Sequence, residues 1–212
     1  MEKIRIGDIK VHSIMLLYPD LELSYDSESE TSLNGVIENL KYNPNVRDVL
    51  HSSIPAINRA FTIIEKRGGT KTKSFGAFVS KRMLGKLWVK LSEIANDVYR
   101  IVRVYSQDGK TVPFECISDD DICLDTNETG EYIFIYKSKL RRISEFTDDF
   151  MELDLSEGVA EIIPYFVKSE ILLTEDRGAS DAARILFDGI LNELSYLPGA
   201  SLPEVTSVYY ME

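Results

Sequence analysis

The residues that can perform metal, redox or acid–base chemistry are few and scattered in this chain. His12 has no acidic or thiol residue three or four positions further along its helix, and neither His12 nor His51 belongs to an H-E-x-x-H or similar metal-binding spacing. Cys116 and Cys123 lie seven residues apart. That spacing permits a disulfide, but the absence of an export signal favours two reduced and buried thiols. We expect the histidines to have surface or packing roles and to bind no metal.

A run of carboxylates, Asp119-Asp120-Asp121 followed by Asp125, invites comparison with a calcium loop. Such a loop starting at Asp119 requires glycine at its sixth position and glutamate at its twelfth, where the chain has Leu124 and Gly130. The run therefore favours charged turn residues in a hairpin. A metal-dependent enzyme that uses the carboxylates of 119–131 remains an alternative.

Other catalytic signatures do not occur in the sequence. It contains no nucleophile elbow, no phosphate-binding glycine loop and no dinucleotide fingerprint. The 35 acidic residues form many accidental pairs, and no pair is distinguished for general acid–base catalysis. We predict a protein that is not an enzyme, with no catalytic residue, metal ligand or cofactor.

Positive charge is concentrated between residues 71 and 90, with Phe75, Phe78 and Trp88 interspersed. This is the stretch most similar to a nucleic-acid surface, but the alternation of basic and apolar residues favours a solvated sheet face. The net charge of −11 argues against a basic grip on nucleic acid or on an anionic membrane. The basic residues are Lys71, Lys73, Lys81, Arg82, Lys86 and Lys90.

The 212 residues are enough for one domain, or for a domain with a sizeable insert, and 44% are hydrophobic, which is typical of globular proteins. No apolar run is long enough to span a membrane, and the N-terminus lacks the apolar core of a signal peptide. We expect no contact with a membrane.

Apolar residues follow a helical period near both ends of the chain. They predict helices over 8–18, 33–40 and 46–67, with Asp8 and Asn45 as N-caps and Gly68-Gly69 as the stop of the third helix. Pro55, like Pro164 further on, falls inside a helical pattern and predicts a kink or a local break.

Residues 70–143 change to the two-residue period of strands. Asp108-Gly109 favours a tight hairpin turn, and Pro113 favours an edge strand or a bulge. The predicted strands are 73–80, 86–91, 98–106, 110–117, 120–124 and 131–137.

Residues 152–197 predict two antiparallel helices joined by a charged turn. Asp154 or Ser156 can cap the first helix, Asp154-x-x-Glu157 has the form of a capping box, and the turn 174–178 supplies further caps. The apolar stripes are Val159, Ile162, Ile163, Phe166, Val167 and Ile171, then Ala183, Leu186, Phe187, Ile190, Leu191 and Leu194.

The residues of this hairpin resemble a known family. The pattern is Glu152-Leu153-Asp154-Leu155, Ile162-Ile163-Pro164-Tyr165-Phe166-Val167 and Glu170-Ile171, then Ala182-Ala183-Arg184, Phe187, Leu191 and Leu194. It resembles the C-terminal helices of head-to-tail connector proteins of tailed bacteriophages, the adaptor or gatekeeper-like subunits beneath the portal. Ala56-Ile57-Asn58-Arg59-Ala60 resembles the helix that packs on this pair. The resemblance is carried by packing residues rather than by a catalytic signature.

The resemblance implies a structural virion protein of a phage or prophage, assembled in the cytoplasm of the bacterial host. Its subunits would form a ring, implied to be a dodecamer, with the portal protein above and a tail or stopper protein below. DNA would pass through without specific binding. The alternative function is an acidic protein-interaction or regulatory module.

The predicted fold is α+β, a helical bundle from both chain ends with an antiparallel β-rich insert. The predicted parts are 1–69, the N-terminal helical part; 70–147, the β insert; 148–197, the C-terminal helical hairpin; and 198–212, an extended tail. The tail ends in aromatic and β-branched residues, which suit either a frayed terminus or an arm that adds to a neighbouring subunit or the portal. Val208, Tyr209 and Tyr210 are its candidate interface residues.

Overall fold

A computed structural model describes residues 4–21, 23, 29–196 and 208–209. It combines helices with mainly antiparallel sheets, so the α+β class is confirmed. The helices are α1 Ile6–Leu17, α2 Glu30–Tyr42, α3 Pro44–Arg67, α4 Leu91–Ile94, α5 Glu157–Leu172 and α6 Arg177–Tyr196. The strands are β1 Thr72–Val79, β2 Arg82–Met83, β3 Lys86–Lys90, β4 Val98–Ser106, β5 Phe114–Cys116, β6 Asp121–Leu124, β7 Gly130–Ser138 and β8 Val208–Tyr209.

The described chain divides into two compact units. The helical unit contains the chain up to Gly69 and from Leu140 through α6, and the strand unit contains Thr70–Lys139 together with β8. None of the described helices is both long enough and apolar enough to cross a membrane.

The first turn of α1 is capped by the backbone that precedes α5. Ile6 N–H donates to the Met151 carbonyl at 3.1 Å, and Gly7 N–H donates to the Asp149 carbonyl at 2.8 Å. The buried Lys10 ammonium lies 2.6 Å from the Asp149 carboxylate. These bonds satisfy helix-terminal donors that have no intrahelical acceptor.

Two predicted N-caps are wrong by a few residues. Asp8 lies inside the first turn of α1, where its carboxylate pairs with Arg5 at 3.2 Å. Asn45 lies inside α3, which begins at Pro44 and uses the Asn43 carbonyl as the first acceptor. Proline at the first helical position loses no hydrogen bond, because that N–H has no intrahelical acceptor.

The caps of the C-terminal helices follow the sequence only in part. Ser156 is the N-cap of α5 by position, but its side chain makes no capping hydrogen bond, and the capping box of Asp154 and Glu157 stays a prediction. At α6 the Asp176 carboxylate accepts from Ala179 N–H at 3.0 Å, which confirms the predicted turn cap.

Both internal prolines are accommodated without a helix break. Helix α3 runs continuously through Pro55 and α5 through Pro164, so of the two predicted alternatives the local break does not occur, and the kink stays a prediction. The stop of α3 is confirmed, because Gly68 adopts a φ of 76° and Gly69 N–H bonds back to Ile64.

One apolar core joins α1, α3, α5 and α6. Both predicted stripes of the C-terminal hairpin contribute to it, although Leu186 remains 48% exposed and lies at the margin of its stripe. The most buried members are Ile6, Ile57, Phe61, Ile64, Leu155, Ile163, Phe166, Val167, Phe187 and Leu191.

Two side chains of α3 fix the segment that follows β7. The Glu65 carboxylate, only 3% exposed, accepts from Leu140 N–H at 2.7 Å and from the Arg142 guanidinium at 2.6 Å. The Asn58 amide donates to the Ile143 carbonyl at 2.8 Å and accepts from Ile143 N–H at 2.9 Å. Sequence reasoning identified neither side chain as an anchor.

The strand unit contains two sheets, with orders β4-β7-β1-β8 and β2-β3-β6-β5. The Asp108-Gly109 turn is confirmed, with Gly109 at a φ of 75°. The predicted strand 110–117 is divided into an isolated bridge at Thr111 and the short β5, because Pro113 cannot donate to a ladder. As expected, β5 is an edge strand, and both sheets contribute to one core that includes Phe75, Leu87, Val104, Ile122, Leu124 and Phe134.

Replacing Glu65 should destabilise the helical unit strongly. Glu65→Ala leaves the buried Leu140 N–H without its acceptor and removes the Arg142 ion pair, so we expect a loss of about 3 kcal/mol in the free energy of unfolding. Urea denaturation gives this value, and amide hydrogen exchange at Leu140 reports the local opening. Glu145→Ala is the matched control, because Glu145 pairs with His51 at an exposed site and should change stability by less than about 0.5 kcal/mol. Equal effects of the two substitutions would contradict the anchoring role.

A methyl group at residue 7 should not fit. A Cβ on Gly7 would lie 2.9 Å from Ile37 Cδ1 and 3.0 Å from the Asp149 carbonyl oxygen. We therefore expect Gly7→Ala to lower the melting temperature through a loss of about 1–3 kcal/mol. Gly189→Ala should instead add about 0.5–1 kcal/mol, because Gly189 is helical and nothing lies within 4 Å of its added Cβ. Calorimetry of both variants distinguishes crowding from helix propensity, and a stable Gly7→Ala variant would disprove the close packing.

Candidate interaction site

The residues that carry the connector resemblance form the inner face of the α5–α6 hairpin. The rings of Phe166 and Phe187 lie 4.9 Å apart at 59°, and both side chains are fully buried. The Arg184 guanidinium lies over Phe166, 4.5 Å from the ring centre, and 5.9 Å from that of Phe187. The arginine thus covers the edge of the aromatic pair while its charged end stays partly exposed.

Ion pairs connect this hairpin to α3. Arg59 lies 2.7 Å from Glu170, and Glu170 lies 3.6 Å from Arg184. Arg184 in turn contacts Asp188 at 3.1 Å, and Asp188 contacts Arg67 at 2.9 Å. The five charges form a continuous network across three helices. Because these groups are partly exposed, the network contributes more to the geometry of the helices than to their stability.

The C-terminal tail is described only at Val208 and Tyr209. These two residues form β8, which pairs in parallel with Gly76 and Ala77 of β1. Tyr210, the third predicted interface residue, lies outside the described residues. Strand β7 pairs with one edge of β1 along its whole length. The tail therefore pairs with the other edge of β1. That edge offers backbone hydrogen bonds to an added strand.

The carboxylates of Asp120 and Asp121 accept hydrogen bonds within the strand unit. Asp120 accepts from the backbone N–H of Ser92 at 2.7 Å and from its hydroxyl at 2.8 Å. These bonds, together with the charge of Lys90, lower the pKa of Asp120 below its ordinary value. Asp121 accepts from the Trp88 indole N–H at 3.0 Å. The run therefore serves turns and strand connections, as charged hairpin residues do.

Neither histidine is part of a cluster of potential metal ligands. His51 lies 3.1 Å from Glu145 at an exposed site, and His12 is exposed on α1. Within the described ranges, no group of three or more histidine, cysteine, aspartate or glutamate residues is arranged to hold a metal ion. Both cysteines are free thiols, but only Cys123 is buried, so the expectation of a buried Cys116 is wrong. Cys116 is exposed because it ends the edge strand β5.

Three of the six basic residues of the stretch 71–90, Lys73, Lys86 and Lys90, lie within ion-pair distance of carboxylates. Lys73 lies 2.6 Å from Asp97, and Lys86 lies 3.2 Å from Asp125. The hydrogen bond and charge of Asp125, with help from Glu115, raise the pKa of Lys86. A surface whose lysines already pair with carboxylates attracts phosphates weakly, which favours the solvated sheet face over a nucleic-acid site.

Sequence reasoning missed the short hairpin between β2 and β3. Met83 pairs with Lys86, and Leu84-Gly85 form its two-residue turn with φ values of 51° and 79°. A pair of positive φ values is the type I′ arrangement that suits hairpins. The signal in the sequence is weak, because leucine is rare at a position that usually holds asparagine, aspartate or glycine.

Comparisons with models of known protein families and with curated protein sequences give no match to this chain.

Stability at acidic pH should depend on Asp120. Its pKa is lowered in the folded protein, so the carboxylate stabilises the fold above the unfolded value of about 4, and this contribution is lost as the pH falls through the folded value. We expect Asp120→Asn to lower the melting temperature at pH 7 and to differ less from the parent protein near pH 2.5. Asp119→Asn, at an exposed neighbouring carboxylate, is the control and should leave the melting temperature unchanged at both pH values. A difference for Asp120→Asn that is independent of pH would contradict this assignment.

Proposed function

We propose that this protein is a subunit of a phage or prophage head-to-tail connector, the adaptor that forms a ring beneath the portal. The observation that carries the proposal is the agreement between the resembling residues and the inner face of α5–α6. Ile163, Phe166 and Phe187 are fully buried, and Arg184 covers the ring pair. Because the resembling residues are those that pack inside the hairpin, they support the proposal that this chain and the connector family share the same helical hairpin.

The contacts of α3 add to this support. Ala56, Ile57 and Ala60, which belong to the second resembling segment, lie in the same core as α5 and α6. Helices from both ends of the chain would thus form the bundle on which an adaptor ring is built, with the strand unit as its insert. Val208 and Tyr209 pair with β1 of their own chain. As the arm of an adaptor, the tail with Val208, Tyr209 and Tyr210 would exchange this pairing for one with the portal or a neighbouring subunit.

The charge of the chain is compatible with passage of DNA. A net charge of −11 repels phosphates, so an acidic ring does not hold the DNA that moves through it. The same charge favours a second candidate, an acidic module that regulates a nucleic-acid-binding protein by occupying its basic site. Competition with DNA for such a partner would distinguish the two functions.

Co-assembly with the portal protein of the same phage or prophage tests the proposal. Size-exclusion chromatography with light scattering and negative-stain microscopy should reveal a ring on the portal. Deletion of 198–212 should abolish that ring, because the arm supplies backbone hydrogen bonds to a sheet edge.

A variant in which the residues of 198–212 are placed in scrambled order is the control for tail length and charge. It should behave like the deletion if strand pairing requires the native order. Failure of the full chain to associate with the portal, in solution or during co-expression, would refute the connector function.

A further inference from the structure

The tip of the β2–β3 hairpin exposes apolar side chains at an unfavourable backbone geometry. Leu84 is 96% exposed and Met83 is 51% exposed. Leu84 also adopts a φ of 51°, a region that costs a residue with a Cβ about 1–2 kcal/mol. An exposed leucine in a left-handed turn is unfavourable for two reasons. Its apolar side chain is exposed to water, and its backbone adopts a strained conformation. A contact outside the chain would compensate for the hydration cost.

The hairpin also carries positive charge on an acidic protein. Lys81 and Arg82 flank the apolar tip, both are exposed, and neither pairs with a carboxylate of the described residues. Lys73, Lys86 and Lys90, in contrast, each have a carboxylate within ion-pair distance. The tip is therefore both apolar and basic.

A groove in the helical unit has the complementary character. It lies between α1 and α5, has a volume of about 250 Å³, and is lined mainly by Met15, Leu16, Pro164 and Tyr165. Glu161 and His12 complete its lining, and both are exposed. A cavity of about 150 Å³ can hold a benzene molecule, so this groove has room for a leucine side chain and part of a methionine.

We propose that the β2–β3 hairpin of one subunit inserts Leu84 into the α1–α5 groove of a second copy, with Lys81 and Arg82 facing Glu161. This inference rests on the proposed ring and names its subunit contact. Two copies that each carry a charge of −11 repel one another overall, and the contact of the basic tip with the Glu161 carboxylate opposes this repulsion locally. Because hairpin and groove are different patches, the contact is head-to-tail and can close into a ring.

A contact through one hairpin is small, and its strength in a ring comes from closure. Cross-linking is therefore the suitable readout. The experiment uses the full chain with Cys116→Ser, so that the buried Cys123 is the remaining native thiol. Leu84→Cys and Met15→Cys are placed in two chains with different tags. Mild oxidation of the mixture should give a disulfide-linked heterodimer, and the chain with both substitutions should give a ladder of multimers.

Phe146→Cys paired with Met15→Cys is the matched control, because Phe146 is also 96% exposed and should not cross-link. Arg82→Glu should reduce the cross-linked fraction about fivefold, the effect of an interaction near 1 kcal/mol, and adding Glu161→Arg should restore it. Circular dichroism establishes that each variant is folded.

The cross-linking reactions are run with and without the portal protein, and each result supports or overturns the proposed contact. Cross-linking that depends on the charges in this way supports the contact. A ring on the portal without the Leu84–Met15 cross-link overturns the contact and leaves the proposed function in place. Absence of both the ring and the cross-link overturns the two together. Equal cross-linking by Phe146→Cys would identify random collision and would also overturn the contact.

Discussion

The buried carboxylate of Glu65 holds the segment that follows β7 against α3. A carboxylate removed from water must be fully paired, and the backbone of Leu140 and the guanidinium of Arg142 provide that pairing. Asn58, two helical turns earlier on the same face of α3, binds both backbone groups of Ile143. The chain therefore leaves the helical unit at the end of α3 and is held against the same helix when it returns.

Because the returning chain is held against α3, the segment before α5 lies next to the first turn of α1. The Asp149 and Met151 carbonyls cap the first turn of α1, and Asp149 binds the buried Lys10. These bonds connect α1 to the segment that leads into α5, which is distant in sequence. Both helices then contribute to the same apolar core. The aromatic pair of α5–α6 and the ion pairs to α3 then fix the geometry of the hairpin that carries the connector resemblance.

The proposed connector function depends on surfaces of the subunit. Several lysines of the strand unit lie within ion-pair distance of a carboxylate, as Lys73 with Asp97 and Lys86 with Asp125 show. The tip of the β2–β3 hairpin combines the exposed apolar side chains of Met83 and Leu84 with the exposed cations Lys81 and Arg82. An acidic subunit that assembles with copies of itself requires such local departures from its overall charge, because uniform surfaces of like charge only repel.

The sequence by itself determined the α+β class, the positions of the long helices and of most strands, and the Asp108-Gly109 turn. These features follow from local periodicity and from residues with restricted dihedral angles, such as Gly109 and Pro113. Only the tertiary structure decided that Asp8 and Asn45 do not cap their helices, that Cys116 is exposed, and that Glu65 is an anchor. These properties depend on which backbone groups meet across long sequence separations, and a local pattern contains no information about such partners. The connector function stays a prediction.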